Sequence, residues 1–303
     1  MIAVFWVMSI LSLAVFTSVR LLYYEFDLVT AQSHGSRARQ LAEMGLAVAA
    51  NPVVEEGDPI LSQFFENGAE GFDAQIRTEA DRFNINILLM PRSDTGEPDK
   101  PLLKDILELW NMDPDEAAEV IDALVDWVDA NDFEELNGAE DGYYEDLGFL
   151  NRPYNRPFYS LDEMRLVRGW SQVERLNPNW KEWFTVWTGG GLDVNDARPD
   201  VLAMALKVSE SETELIGEQV RGPDGIRYTE DDLPFQSPQE ALDFLGMPDI
   251  QVAEVLPRLT ANDQTNRLES IGRSGDVKRR ITLILRNRTG KPAILERKEE
   301  VVP

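Results

Sequence analysis

The sequence has no cysteine and a single histidine, His34. Without cysteine the chain can form no disulfide, no thiolate metal site and no thiol nucleophile. One histidine excludes histidine-based triads and multi-histidine metal sites, and as an isolated residue on the polar side of a helix His34 is read as solvated. Basic residues are scarce: 29 Lys and Arg stand against 55 Asp and Glu, a net charge of −26. Such a field repels nucleic acid and anionic headgroups and attracts divalent cations. Residues 1–19 carry no charge at all, whereas the chain as a whole is 28% charged. At 303 residues, 43% of them hydrophobic, the chain has room for two or three units with real cores.

Nineteen uncharged residues suffice to span a bilayer as a helix. A cleaved signal peptide would show a basic start, a shorter apolar run and a small-residue cleavage site, and none is visible before Arg20-Leu21-Leu22. Tyr23 and Tyr24 fall where an interfacial aromatic belt belongs. The helix is expected to run on, since Ala38, Leu41, Gly45 and Val48 recur at helical steps until Pro52. Residues 54–70 read as loop and short helix, and 72–79 as a strand. After Asn84-Ile85-Asn86 and a polar linker from Pro91 to Pro101, two amphipathic helices are expected, Leu102–Asn111 and Ala117–Val128. Asp113-Pro114 caps the second, and its stripe of Ala117, Val120, Ile121, Leu124, Val125 and Val128 is core.

Ser160-Leu-Asp-Glu163 and Ser237-Pro-Gln-Glu240 both have the form of a capping box, each followed by a glycine, Gly169 and Gly246. The Asn-x-Asn turn also returns in altered form, in Asp193-Val194-Asn195-Asp196 before a helix over Val201–Leu206. Two related helical units follow. Beyond Lys278 the pattern alternates, turns at Asn287–Gly290 and returns to Lys298, a hairpin expected to rejoin the strand near residue 75.

Two loops carry candidate chemistry. Asp129, Asn131, Asp132, Glu140 and Asp141 lie close together around Gly138, which permits a sharp bend. Hard oxygen ligands at this density suit calcium, although the offsets are not those of an EF-hand. A solvated acidic loop is the other reading. Asp224, Glu230, Asp231 and Asp232, between Gly222, Gly225 and Pro234, form a second, weaker candidate.

Asp126-Trp127-Val128-Asp129, Gly138-Ala139-Glu140, Tyr143-Tyr144, Pro157-Phe158, Ser160, Glu163 and Val167-Arg168-Gly169 follow one another at spacings that resemble general secretion pathway protein K, the large minor pseudopilin of bacterial type II secretion. The resemblance rests on about 45 residues. It implies an α+β fold: a transmembrane and stalk helix (1–50), a small pilin-like α/β domain (51–100 and 259–303), and inserted helical units (101–190 and 191–258) that look like SAM-like or helix-hairpin-helix modules. Two features bear on it. The short basic leader that ends in Gly is absent, which suggests a processed form or a misassigned start. The Glu that major pseudopilins carry at the fifth mature position is also missing, since Phe5 lies in an apolar run and the first acidic residue is Glu25. That lack is a feature of the K type.

The resemblance implies a non-enzymatic tip subunit of the periplasmic pseudopilus. It would be anchored in the inner membrane by residues 1–22, would assemble with the I- and J-type minor pseudopilins, and would carry structural calcium in the helical insert. A tip subunit has no subunit above it whose N-terminal amine needs that Glu. DNA binding is disfavoured, because the helical turns are backed by Asp and Glu rather than Lys and Arg. Two other classes are a membrane-tethered, calcium-dependent adhesin or minor type IV pilin-like protein, and a hydrolase using paired carboxylates such as Glu140 with Asp129 or Glu230 with Asp232. The last is weakly supported, since acidic pairs arise by chance in so acidic a chain.

Overall fold

A computed structural model describes residues 2–65, 68–92, 96–227, 229–261 and 263–302. Met1 of the expected anchor, residues 93–95 of the expected linker and Tyr228 of the second acidic loop lie outside them. In chain order the elements are α1 (Ile2–Ala49), β1 (Ser62–Phe64), β2 (Glu70–Thr78), β3 (Phe83–Asn84), α2 (Ile85–Leu89), α3 (Lys100–Leu109), α4 (Pro114–Val128), α5 (Asp141–Asp146), α6 (Trp170–Leu176), β4 (Phe184–Thr185), β5 (Leu192–Asp193), α7 (Pro199–Leu206), α8 (Glu210–Val220), α9 (Pro238–Phe244), α10 (Asp249–Val255), β6 (Leu259–Thr260), β7 (Thr265–Ser274), β8 (Val277–Arg286) and β9 (Ala293–Val302). They divide into two compact units, Met1–Arg77 with Arg267–Pro303, and Thr78–Asn266.

In the first unit α1 is continuous, roughly 70 Å long at 1.5 Å per residue. Its residues from Val4 to Val29 are exposed and apolar enough to cross a membrane. Its last third lies on a five-stranded sheet of order β1-β2-β7-β8-β9. Ala38, Leu41, Ala42, Leu46 and Ala49 are buried there with Phe72, Ala74 and Ile76 of β2, Leu268 of β7, and Ile281 and Leu285 of β8. The expected helical stripe is this face.

Small residues let the helix come close. A Cβ on Gly272 of β7 would stand 2.0 Å from the Ala38 carbonyl oxygen and 2.3 Å from the Ala42 nitrogen, and one on Gly45 would stand 2.2 Å from Ser270 Oγ. Helix backbone thus rests almost directly on strand backbone. The C-terminal end of α1 has no basic residue of its own. Arg288, in the β8–β9 turn, supplies one: its Nη1 donates to the carbonyls of Ala49 (3.1 Å), Asn51 (2.9 Å) and Val54 (2.9 Å), where the helix dipole favours a cation.

Three sequence expectations change. The β8–β9 hairpin, antiparallel with a bulge at Ile284/Leu285, pairs with β7 and not with β2. The intervening β7 was not expected, because its inward residues after Leu268 are Ser270, Gly272 and Ser274, which give no apolar alternation. Residues 54–70 contain strand β1, antiparallel to β2. His34 is not simply solvated. Its Nδ1 lies 2.8 Å from Ser274 Oγ, which donates to Glu70 Oε1 (3.0 Å), and Arg37 Nε donates to Glu70 Oε2 (3.2 Å). This chain of bonds ties α1 to β7 and β2.

The second unit repeats one motif. β3 pairs in parallel with β4 (Phe83 opposite Phe184), and β5 pairs in parallel with β6 (Leu192 opposite Leu259). Two residues beyond the paired Asn84 and Asp193, an asparagine clamps the backbone of a phenylalanine. Asn86 accepts from Phe158 N (2.8 Å) and donates to Phe158 O (3.0 Å); Asn195 does the same to Phe235, at 2.8 and 3.0 Å. Each phenylalanine stands two residues before one of the serines of the repeated signature. Ser237 does cap, with its Oγ accepting from Glu240 N (3.3 Å). Ser160 makes no side-chain cap: Glu163 is drawn instead to Trp127 and Arg156, and residues 161–166 form a 3-10 turn, with α6 starting afresh beyond Gly169. A box at Ser209, where Glu212 accepts from the Ser209 backbone (2.9 Å), was not expected. Buried Asp99 also holds this unit together, taking both Arg258 Nε (2.7 Å) and Nη2 (3.0 Å) and Arg92 Nη1 (3.0 Å).

The close seam makes a direct test. Gly272→Val is expected to lower the stability of the full chain by about 1–3 kcal/mol or more, because the helix backbone leaves no room for it. Gly290→Ala, whose Cβ would meet nothing nearer than 3.9 Å, should leave it nearly unchanged. Thermal melts of the two variants in detergent decide this, and equal melting temperatures would refute the seam.

Candidate functional site

The first acidic loop grows out of α4. Pro114 starts that helix in its first turn, and Asp113 caps it by accepting from Asp115 N (2.9 Å). Of the expected apolar stripe, Ala117, Val120, Ile121, Leu124 and Val125 are buried and Val128 is partly buried against the same core. Beside it, Asp122, Asp126 and Asp129 recur at steps of four and three, on one face. Asp122 accepts from Lys100 Nζ (2.8 Å) and from the backbone and side-chain nitrogens of Asn137 (both 3.1 Å). Asp126, fully buried, accepts from Glu135 N (3.1 Å) through one oxygen and from Ala139 N (2.7 Å) through the other. The helix face therefore holds the returning limb of the loop. Gly138 serves this closeness rather than a special turn: a Cβ there would lie 1.8 Å from Asp126 Oδ2.

An aromatic node backs the loop. Trp127 is fully buried, meets Tyr144 and Tyr154 edge-on at 5.4 and 5.1 Å, stacks with Phe158 at 6.4 Å, and donates from Nε1 to Glu163 (3.2 Å). Arg168 donates to the Gly138 carbonyl (2.8 Å), lies over the Tyr143 ring and donates from its backbone N–H to the Tyr144 hydroxyl oxygen (3.2 Å). Gly169, at φ 79°, packs where a Cβ would meet Val120 at 2.6 Å. The short blocks that carry the family resemblance thus interlock in one place.

Among the expected ligands, Asp129 accepts from the backbone and side chain of Asn131 (3.2 and 2.8 Å), Asn131 Oδ1 accepts from Phe133 N (2.8 Å), Asp132 accepts from Asn155 Nδ2 (3.2 Å), and Asp141 accepts from Gly142 N (2.7 Å). Glu140 differs: both its carboxylate oxygens are buried with no hydrogen-bond partner among the described residues. Burial pushes its carboxyl up to about 7, and the charges of Asp126, Asp129, Asp132 and Asp141 push the same way. Burial raises Asp126 to about 6 against the pull of its two N–H donors, and raises Asp129 as well. Among the described residues no three acidic or histidine side chains close into a metal shell. Asp122 and Asp126 were not among the expected site residues, although their four-residue spacing ahead of Asp129 was the available signal.

The second loop is satisfied differently. Gly222 is at φ 64°, where a Cβ would meet the Asp231 carbonyl oxygen at 2.1 Å. Asp231 accepts from Asp224 N (3.1 Å) and Thr229 Oγ1 (2.8 Å), and the Thr229 hydroxyl, first among its donors, holds it below the usual range. Asp232 pairs with Arg227, which also reaches Asp196 (2.9 Å). Asp224 and Asp231 come together, while Glu230 is exposed.

The chain thus combines a long N-terminal apolar helix with a mixed α/β domain that carries a helical unit inserted between two strands of its sheet. Residues 81–179 match the family model described as type II secretion system (T2SS), protein K. The fold is shared with a chain of the crystal structure of the GspK–GspI–GspJ complex from the type 2 secretion system of enterotoxigenic Escherichia coli. That match has a TM-score of 0.63 and 14% identity, and it covers 93% of this chain and 99% of the other. No curated protein matches the chain significantly.

A carboxyl that titrates higher in the fold than in the unfolded chain stabilises the fold while protonated, and that contribution is lost as pH rises through the folded value. For Glu140 the window runs from 4.5 to about 7, and for Asp126 from 3.8 to about 6. In chelator the melting temperature is therefore expected to fall as pH rises across these windows. Glu140→Gln should flatten the upper part of the slope; an unchanged slope would show that Glu140 is not surrounded as described.

Proposed function

We propose that this chain is a structural, non-enzymatic minor pseudopilin of the K type, placed at the tip of a type II secretion pseudopilus. The observation that carries it is the joint one: the family match falls on the stretch whose blocks interlock around Trp127, and 93% of the chain shares its fold with the enterotoxigenic Escherichia coli chain. By that relationship its partners are the I- and J-type minor pseudopilins. The exposed apolar half of α1 anchors it in the inner membrane, and the rest lies in the periplasm. The two clamped halves of the insert, about 101–190 and 191–258, are read as related SAM-like units. Leu13→Asp places a charge at bilayer depth, at a cost of several kcal/mol. It is expected to abolish pseudopilus formation and co-purification with the I and J subunits from membranes, and normal assembly would refute the stalk reading.

Structural calcium in the first loop is part of the same proposal. A buried Glu140 with no partner, ringed by four like charges and raised in pKa, is an arrangement that a divalent cation would relieve. Asp129, Asp132, Glu140 and Asp141 would hold it, with Asn131 adding an amide oxygen. The ion would supply charge neutralisation and no chemistry. We place it in the first loop rather than the second, where Arg227 already meets Asp232. Binding only the folded form should stabilise by about 2.7 kcal/mol when free calcium is about a hundredfold above Kd. Chelation should then lower the melting temperature of the full chain, and Asp129→Ala with Glu140→Ala should abolish that effect. No heat of binding at millimolar calcium would refute the site.

A further inference from the structure

The negative charge is not shared between the two units. Residues 1–77 with 267–303 hold 14 Lys and Arg and 14 Asp and Glu, whereas residues 78–266 hold 15 and 41. The whole net charge of −26 thus belongs to the inserted unit. Within it, Asp105 to Asn151 contains 16 acidic residues and no lysine or arginine.

That same stretch exposes large apolar side chains. Phe133 and Leu136 on the first loop are 83% and 92% exposed, and Leu150, just beyond α5, is 72% exposed, with Leu147 and Phe149 about half exposed beside it. The two segments flank one node: Asp132 bonds Asn155 (3.2 Å), and Tyr144 of α5 and Tyr154 both pack on Trp127. Between the apolar residues stand Glu134, Glu145 and Asp146, all exposed and with no cationic partner among the described residues. Exposed apolar side chains rimmed by charge mark a protein contact, and charge complementarity selects the partner.

We propose that Phe133, Leu136, Leu147 and Leu150, rimmed by Glu134, Glu145 and Asp146, form a docking surface for a basic, apolar segment of a partner protein, such as an amphipathic helix carrying lysines beside leucines. The apolar residues bury against the leucines. The three carboxylates meet the lysines and reject acidic or neutral segments.

The test uses the full chain in phosphatidylcholine nanodiscs and a fluorescent leucine–lysine amphipathic peptide, with empty nanodiscs subtracted. Binding is expected, and a lysine–glycine peptide of equal charge should bind about tenfold more weakly. Phe133→Ser with Leu136→Ser should weaken binding by about tenfold, and so should Glu134→Gln with Glu145→Gln and Asp146→Asn. Removing three exposed charges elsewhere on the unit, by Glu214→Gln, Glu218→Gln and Asp249→Asn, should change it by less than about twofold. Equal loss in this control, or no loss in either patch variant, overturns the proposal. So does self-association that Leu136→Ser abolishes, which would make the occupant a second copy, and so does equal uptake by empty nanodiscs, which would make it lipid. All these side chains are exposed, so unchanged melting temperatures separate lost binding from lost folding. None of them is a proposed calcium ligand, so calcium-dependent melting reports on that reading separately.

Discussion

The pairing of β2 with β7 is the constraint on which the rest of the structure depends. These strands are neighbours in the sheet, yet the whole helical unit lies between them in sequence. The insert must therefore bring its own two ends together, and it does so at the Glu79 N–H to Thr265 carbonyl bond (2.8 Å). Closing so long a loop is costly in entropy only logarithmically, but it makes the sheet a non-local structure whose formation waits on the insert. The two parallel strand pairs answer that requirement, since each joins the start of one half of the insert to its end.

Inside the insert, opposed charges and like charges are handled in contrasting ways. Asp99 is fully enclosed and paid for by two guanidinium groups, and the second acidic loop has Arg227. In the first loop Lys100 meets Asp122 and Glu135, whereas Glu140 has no hydrogen-bond partner among the described residues and is subject to the charges of four carboxylates. The two loops, built from the same residue types, thus differ in the one respect that matters to a cation: whether the negative charge has already been met by an arginine among the described residues.

Much of this was readable from residues alone. The apolar stripes of α1 and α4 are visible because apolar residues repeat at helical spacing, and the crowding of carboxylates in the first loop is visible in the sequence itself. The recurrence of Asn86 and Asn195 was also legible, though what they grip was not: the partners Phe158 and Phe235 are far along the chain and bonded through their backbones, which no side-chain pattern records. β7 was hidden for a related reason. Its contact with α1 works by absence of side chain, at Gly272 and the serines around it, and periodicity registers only what is large and apolar. His34 looked isolated because its partner Ser274 lies at the far end of the sequence. Ser160 had the right neighbours for a cap but lost Glu163 to a tryptophan that sequence spacing cannot place beside it.

The Arg288 clamp gives α1 a second attachment to the sheet, distinct from its packed face. A force along α1 would meet the sheet in shear, spread over the close contacts of Ala38 and Ala42 with Gly272 and of Gly45 with Ser270 and Phe72, so that no single contact would bear it alone. Whatever passes beyond Ala49 reaches three carbonyls gripped by one guanidinium in the turn between β8 and β9, and so enters the sheet at its opposite end as well. The helix is thus fastened to the sheet along its length and at its tail, so that separating the two would require both attachments to break together.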